Sequence, residues 1–322
     1  MKKLERKIIK SRENYLKIET SGLSREIDSI IVVSLVEKNR EVLKTFYLEN
    51  LKEEKNLLEE VMPILQEKEF VTYSGKTFDL PFVKEKVKFY FNEDLDLKLI
   101  DLQEITKKYN FIFNLDSHSN KNLLEKFIGL EILKEQKEYQ GIKIKSLFKN
   151  YLEGDKSAIE KILAYNFMSL ENLILLDAKI KENLEKNLSL KILDFTFFIR
   201  DIKLLDNKLE ISGVTNYGSD YFSNNELYTI EISGLEEEEK ICEQEKNKQE
   251  PKNFSLKINT EDGLYDDKNS CYYVKKKGLD FDLTNPSKIK SPPQIQILYY
   301  KNHKFKNQVE LMRKIIVREL SK

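Results

Sequence analysis

Residues 15–22 read Tyr15-Leu16-Lys17-Ile18-Glu19-Thr20-Ser21-Gly22, and the rest of the chain is best read outward from them. The stretch has the form of a short strand running into a turn. Strand side chains alternate, so Tyr15, Lys17 and Glu19 share one face and Leu16, Ile18 and Thr20 the other. Gly22 then gives the chain freedom to turn. A lysine and a glutamate two residues apart on one strand face are the first candidate for chemistry.

Further strand patterns follow. "DSIIVVSLVEK" and "REVLKTFYLEN" are rich in β-branched and aromatic residues, with the polar break "KNR" between them. With the first strand they suggest an antiparallel meander. "LKEEKNLLEEVMPILQEKE" has apolar residues at Leu51, Leu57, Leu58, Val61, Ile64 and Leu65, the spacing of an amphipathic helix. "FVTYSG" reads as a fourth strand. "FDLPFVKEKVKFYF" reads as a helix, with Pro81 in its first turn where no amide donor is needed. "LDLKLIDL" is a fifth strand, and helical spacing dominates from there to about Leu188. The sum is an α/β domain over residues 1–187, a mixed five-stranded sheet covered by helices. Residues 188–322 read differently, as short strands broken by Asp, Asn and Gly turns and closed by the helix "NQVELMRKIIVREL". This is a smaller β-rich domain. The charged run "LEEEEKICEQEKNKQEPKN" within it reads as a solvated loop or frayed hairpin extension.

The chain has 322 residues, with 55 Lys plus Arg balanced by 55 Asp plus Glu. That balance excludes a polycation that coats phosphate backbones, so any nucleic-acid contact must be local. The densest basic stretch is "MKKLERKIIKSR", with Lys2, Lys3, Arg6, Lys7, Lys10 and Arg12, and it reads as a solvated helix end. No apolar run has the length of a signal peptide or a membrane span. The expectation is a cytoplasmic protein without a membrane partner, with Cys242 and Cys271 as reduced thiols. His118 and His303 stand apart from each other and from other metal-ligand types. His118 is expected to cap a helix or lie at the surface.

Three stretches then line up. Lys17-Ile18-Glu19-Thr20-Ser21-Gly22 ends the first strand, and Tyr73-Ser74-Gly75-Lys76-Thr77-Phe78-Asp79-Leu80-Pro81 follows the fourth. Tyr165-Asn166-Phe167-Met168-Ser169 lies in the last long helix. In this order they resemble the YprB-type ribonuclease-H-like domain, related to the 3′–5′ exonucleases with four acidic metal ligands. The family motifs run Asp-x-Glu-Thr-x-Gly, then Tyr-Asn-Gly-Lys-x-Phe-Asp-x-Pro, then His-Asn-x-x-Asp. The second match is the most specific, departing only at Ser74. The resemblance implies a ribonuclease-H-like sheet with helices on both faces and a site at the ends of its central strands. In active relatives two divalent ions bridge the carboxylates, activate a water and stabilise the leaving oxygen.

Position by position, the implied site is damaged. Glu19 and Asp79 match family acids. Lys17 replaces the first Asp, Ser169 the last Asp, and Tyr165 the His. A tyrosine at that place occurs in one exonuclease subgroup, but here it has no acid a turn below it. An ammonium about 4 Å from a divalent ion is repelled by roughly 8 kcal/mol at an effective dielectric of 20. On the same helix Glu171 projects away from Ser169 and Asp177 lies two turns on. Asp101 suits a helix cap. The expectation is that the Lys17 ammonium takes over from the metal charge and pairs with Glu19 and Asp79, against the alternative that it snorkels to solvent. Gly22 and Gly75 are read as turn residues, Phe78 and Pro81 as packing and helix start, and Asn166 as a donor to the first motif's turn.

Three functions stay open. One is a ribonuclease-H-fold protein that has lost catalysis and binds single-stranded nucleic acid weakly, or a protein through residues 188–322. It needs no cofactor. The second is an active 3′–5′ exonuclease with an unusual ligand set, which needs Mg or Mn. The third is a scaffold without nucleic acid. A fold alone does not choose among them.

Overall fold

In the computed structural model of the chain, residues 1–8, 10–129, 143–234 and 251–322 are described. The run around Cys242 and part of the helical stretch before residue 143 therefore lie outside the described residues. The chain divides into two compact units, Met1–Glu182 and Asn183–Lys322.

The first unit is built on a mixed sheet of six strands: β1 (Lys2–Lys7), β2 (Tyr15–Thr20), β3 (Ile30–Val36), β4 (Val42–Tyr47), β5 (Lys68–Thr72) and β6 (Leu97–Asp101). Their order is β1-β4-β3-β2-β5-β6. The meander β2-β3-β4 is antiparallel, as its short connections require. β2 pairs in parallel with β5, and β5 with β6. Helices α1 (Glu54–Leu65) and α2 (Asp79–Phe91) supply the two parallel crossovers. α3 (Leu102–Lys108), α4 (Asn110–Phe113), α5 (Asn120–Phe127), α6 (Ile144–Leu152) and α7 (Lys156–Leu188) follow. β3 is buried along its whole length, so it reads as a continuous apolar run. The core joins Leu16, Ile18 and Val33 of the sheet to Leu57, Leu58 and Val61 of α1 and to Phe82 and Val87 of α2. Leu51, expected on the buried face of α1, instead lies exposed in the turn before it.

The sixth strand corrects the sequence reading. The lysine-rich N-terminal stretch is not a helix end but the edge strand β1, paired antiparallel with β4 from Lys2 opposite Tyr47 to Lys7 opposite Val42. All six of its side chains are exposed. Its stability comes from the backbone ladder, and its charges discourage further strands from adding to the edge.

The second unit is β-rich and ends in a helix. Its larger sheet runs β10-β11-β12-β9-β8-β7, antiparallel throughout. These strands are β7 (Ser189–Ile192), β8 (Phe195–Leu205), β9 (Lys208–Thr215), β10 (Tyr221–Asn224), β11 (Tyr228–Gly234) and β12 (Lys252–Asn259). A second sheet of β13 (Glu261–Leu264), β14 (Ser270–Lys275), β15 (Ile295–Tyr300) and β16 (Asn302–His303) follows. Helix α8 (Phe305–Leu320) contacts β15 and β7. Its Leu311, Met312, Ile315 and Ile316 are buried. The Glu319 carboxylate, 2 % exposed, accepts hydrogen bonds from Tyr228 and Tyr221 hydroxyls at 2.7 Å each and from Lys322. Although burial opposes it, these donors hold the Glu319 pKa down at about 2.

Candidate functional site

The parallel arrangement of β2, β5 and β6 brings their carboxyl ends together, where α/β sheets place ligands. Glu19 is the last residue but one of β2, the stretch from Tyr73 leaves β5 and runs into α2, and Asp101 ends β6. A register shift between Glu19 and Thr20 bulges β2 at this end. Bulges re-aim side chains and are common beside active sites.

The loops here are braced from both sides. Asp28 accepts from the Ser24 amide at 3.0 Å and from the Ser21 hydroxyl at 3.3 Å, which folds the chain back after Gly22. A Cβ on Gly22 would collide with the Asp28 carboxylate, and one on Gly75 with the Thr72 hydroxyl. Neither glycine has a positive φ; the left-handed residue of the second loop is Ser74, at 56°. Close approach, rather than turn conformation, is what requires glycine at these two positions. Arg25 donates to the Thr77 carbonyl at 3.2 Å and links the two loops.

Asp101 serves structure. One oxygen accepts from the Gln103 amide at 2.9 Å, the N-cap bond of α3, and from the Ser74 amide at 2.9 Å. The other accepts from the Lys76 amide at 3.2 Å. The carboxylate thus holds the second motif's loop and starts a helix with the same two atoms.

Lys17 and Glu19 meet directly. The Lys17 ammonium lies 3.6 Å from Glu19 Oε1, with its side chain 31 % exposed and that of Glu19 9 %. Burial alone would lower the lysine's pKa. The Glu19 and Asp79 carboxylates outweigh it and hold the ammonium above its ordinary value, with Tyr165 contributing from α7. Asp79, at the first position of α2, is buried. Its burial pushes its carboxyl up to about 6 against the pull of Lys17, and Glu19 and Asp101 add to the rise. The direct ion pair is with Glu19, and Asp79 is coupled to Lys17 through space.

From α7, the fully buried Asn166 donates to Glu19 Oε1 at 3.3 Å. It therefore bonds the motif's carboxylate rather than the turn. Its own Oδ1 is buried without a hydrogen-bond partner. Tyr165 and Ser169 are half-buried on the same helix. Asp177 points its chemistry elsewhere: it accepts from the Tyr15 hydroxyl at 2.7 Å and from Lys181 at 3.0 Å, near the start of β2. His118 bonds Thr106 through its ring and accepts from Gln103 through its carbonyl, while Ser119 caps α5. His303 bonds Gln308, and burial pushes it down to about 4.

A family model described as RNase H superfamily matches residues 14–181, just over half of the chain. The chain belongs to the RNase H superfamily. No curated protein matches it. The matched span covers β2 to β6 and ends within α7, so β1 and the whole second unit lie outside it.

Metal ions of the kind used by nucleases of the RNase H superfamily do not fit these residues. Hard cations need anionic oxygens. Here the Lys17 ammonium stands beside Glu19, and Asp101 is committed to three amides. Among the described residues no group of three or more His, Cys, Asp and Glu side chains could hold a metal ion. No helix among them is long and apolar enough to cross a membrane.

Proposed function

We propose that this chain is an exonuclease-related, YprB-type member of the RNase H superfamily that no longer cleaves phosphodiesters and works in the cytoplasm as a binding module for single-stranded nucleic acid. The observation that carries the loss of catalysis is the Lys17 ammonium 3.6 Å from Glu19, at the first ligand position. A positive charge there offsets one of the two retained carboxylates and repels a divalent ion by several kcal/mol. The superfamily fold supports the nucleic-acid part, as does a cleft of about 590 Å³ lined by Lys17, Glu19 and Phe78 at this end of the sheet.

A second reading, a protein-interaction scaffold, draws on the N-terminal strand. Lys2 pairs with Glu49 at 2.9 Å and Lys3 with Glu5 at 3.2 Å, so part of the basic stretch is spent on internal partners. The test is titration of manganese and magnesium by calorimetry, with a nuclease assay and a single-strand binding assay on the same preparation. The proposal expects no metal uptake, no cleavage, and weak binding that falls with salt. Cleavage that depends on Glu19 and Asp79 would restore the exonuclease reading. Absence of both cleavage and binding would favour the scaffold.

A further inference from the structure

The second unit carries a cleft that the superfamily match does not reach. It lies against the small sheet of β13, β14 and β15 and has a volume of about 590 Å³, within the usual range for ligand clefts. On β14, Cys271, Tyr273 and Lys275 line it, and Ile295 and Ile297 line it from β15. The residues Lys290–Pro292 form one wall. The sheet's other side is packed: Gln296 and Leu298 are buried, with Gln296 donating to the Asn307 carbonyl of α8 at 3.1 Å. The two sides of the sheet therefore differ, one packed against a helix and one carrying the cleft.

Three features give the open side its chemistry. First, Tyr273 stands in the cleft with its ring edge against Gly263, where a Cβ would lie only 3.3 Å from Cε1. A side chain at residue 263 would crowd the ring, so glycine leaves the tyrosine room to lie against the sheet. Second, Tyr265 adds another ring, held by close packing on Tyr300 with centroids 4.0 Å apart. The Tyr300 hydroxyl is in turn fixed on Asp266 at 2.8 Å. Third, the charged residues lining the cleft are Lys275 and Lys290, and none is acidic. Glu261 pairs with Lys275 at 2.7 Å and accepts from the Tyr273 hydroxyl at 3.5 Å, so the positive charge left to the cleft is that of the exposed Lys290. Leu264, 80 % exposed, extends the apolar lip.

Aromatic rings with an exposed lysine at the margin are what single-strand binding surfaces use: bases stack on the rings and lysines meet the backbone. We propose that this cleft is where single-stranded nucleic acid binds, with a base on Tyr273 and its phosphate toward Lys290. This rests on the nucleic-acid reading above and adds a contact on the second unit to that of the first.

The experiment uses the full chain and labelled ten-nucleotide oligo(dT) and oligo(U), titrated by fluorescence anisotropy at low and moderate salt. Tyr273→Ala should weaken binding about tenfold, the loss of one stacked base. Tyr273→Phe, which keeps the ring, should bind as the parent does and controls for folding. Lys290→Glu should weaken binding and reduce the slope of log affinity against log salt by about one phosphate's share. Parent-like binding by Tyr273→Ala and Lys290→Glu would overturn the cleft while leaving the nucleic-acid reading intact. No binding by the parent at low salt would remove both. A proline-rich peptide that binds the Tyr273 surface when oligonucleotides do not would also overturn it, since tyrosine-lined grooves take such peptides.

Discussion

The Lys17 ammonium and the Glu19 carboxylate, two residues apart on one strand, face each other at 3.6 Å at the carboxyl end of β2. The pair sits at the end of a mixed sheet where α/β folds place ligands. Its charge keeps two buried or nearly buried acids, Glu19 and Asp79, from standing together without a cation. Lys17→Met should therefore destabilise the fold by about 1–2 kcal/mol at neutral pH, the partial exposure of the lysine limiting the cost. Urea denaturation of both proteins measures it. Equal stability at pH 7.5 would mean that the lysine contributes nothing to holding the acids.

Asp79 gives the pH dependence. Its carboxyl is raised from an ordinary 3.8 to about 6, chiefly by burial. Between these values the folded state holds a proton that the unfolded state has released. The contribution of this group to stability is thus fully present at low pH and is lost as pH rises through about 6, by roughly 3 kcal/mol in total. Asp79→Asn should flatten that part of the stability–pH curve. In Lys17→Met the window should extend upward, because Lys17 pulls the Asp79 pKa down. Carbon NMR of the Asp79 carboxyl reads both effects. A carboxyl that titrates near 4 in the parent would contradict the burial argument.

Asp101 is a brace with three backbone donors. Asp101→Ala should cost about 2 kcal/mol or more, since it removes a helix cap and strands loop amides. Asp101→Asn should cost less, because one oxygen can keep the Ser74 and Gln103 bonds. Chemical denaturation separates the two, and equal losses would show that the charge rather than the geometry matters.

The patterns of β2 to β6, α1 and α2 are legible in the sequence because apolar alternation and turn residues both mark them. β1 is not legible, since "KKLERK" buries nothing and its backbone ladder is with β4. The short β10 is hidden for a similar reason, with only alternate residues half-buried. Strand patterns carry no pairing partner, so the two separate sheets of the second unit emerge only in three dimensions. At the site, the Lys17 and Glu19 spacing predicts a shared face. The Asp28 brace, the Arg25 link and the Asn166 bond to Glu19 join residues far apart in the chain, and no local pattern announces them.

Placing the acids of the proposed family motif into this chain tests whether its geometry accepts a metal site. Lys17→Asp with Ser169→Asp adds one carboxylate on the strand of Glu19 and one on the helix whose Asn166 bonds Glu19. The double variant should bind manganese measurably by calorimetry where the parent does not. A folded double variant without manganese binding would show that the supporting shell has drifted beyond a metal site's tolerance.

The most direct measurement is a nuclease assay of the purified protein on single-stranded DNA and RNA, with manganese and magnesium in excess and with chelator as control. The predicted result is no metal-dependent degradation, with Glu19→Ala and Asp79→Ala indistinguishable from the parent. Metal-dependent trimming by the parent that disappears in both variants would contradict the loss of catalysis and make Glu19 and Asp79 working ligands.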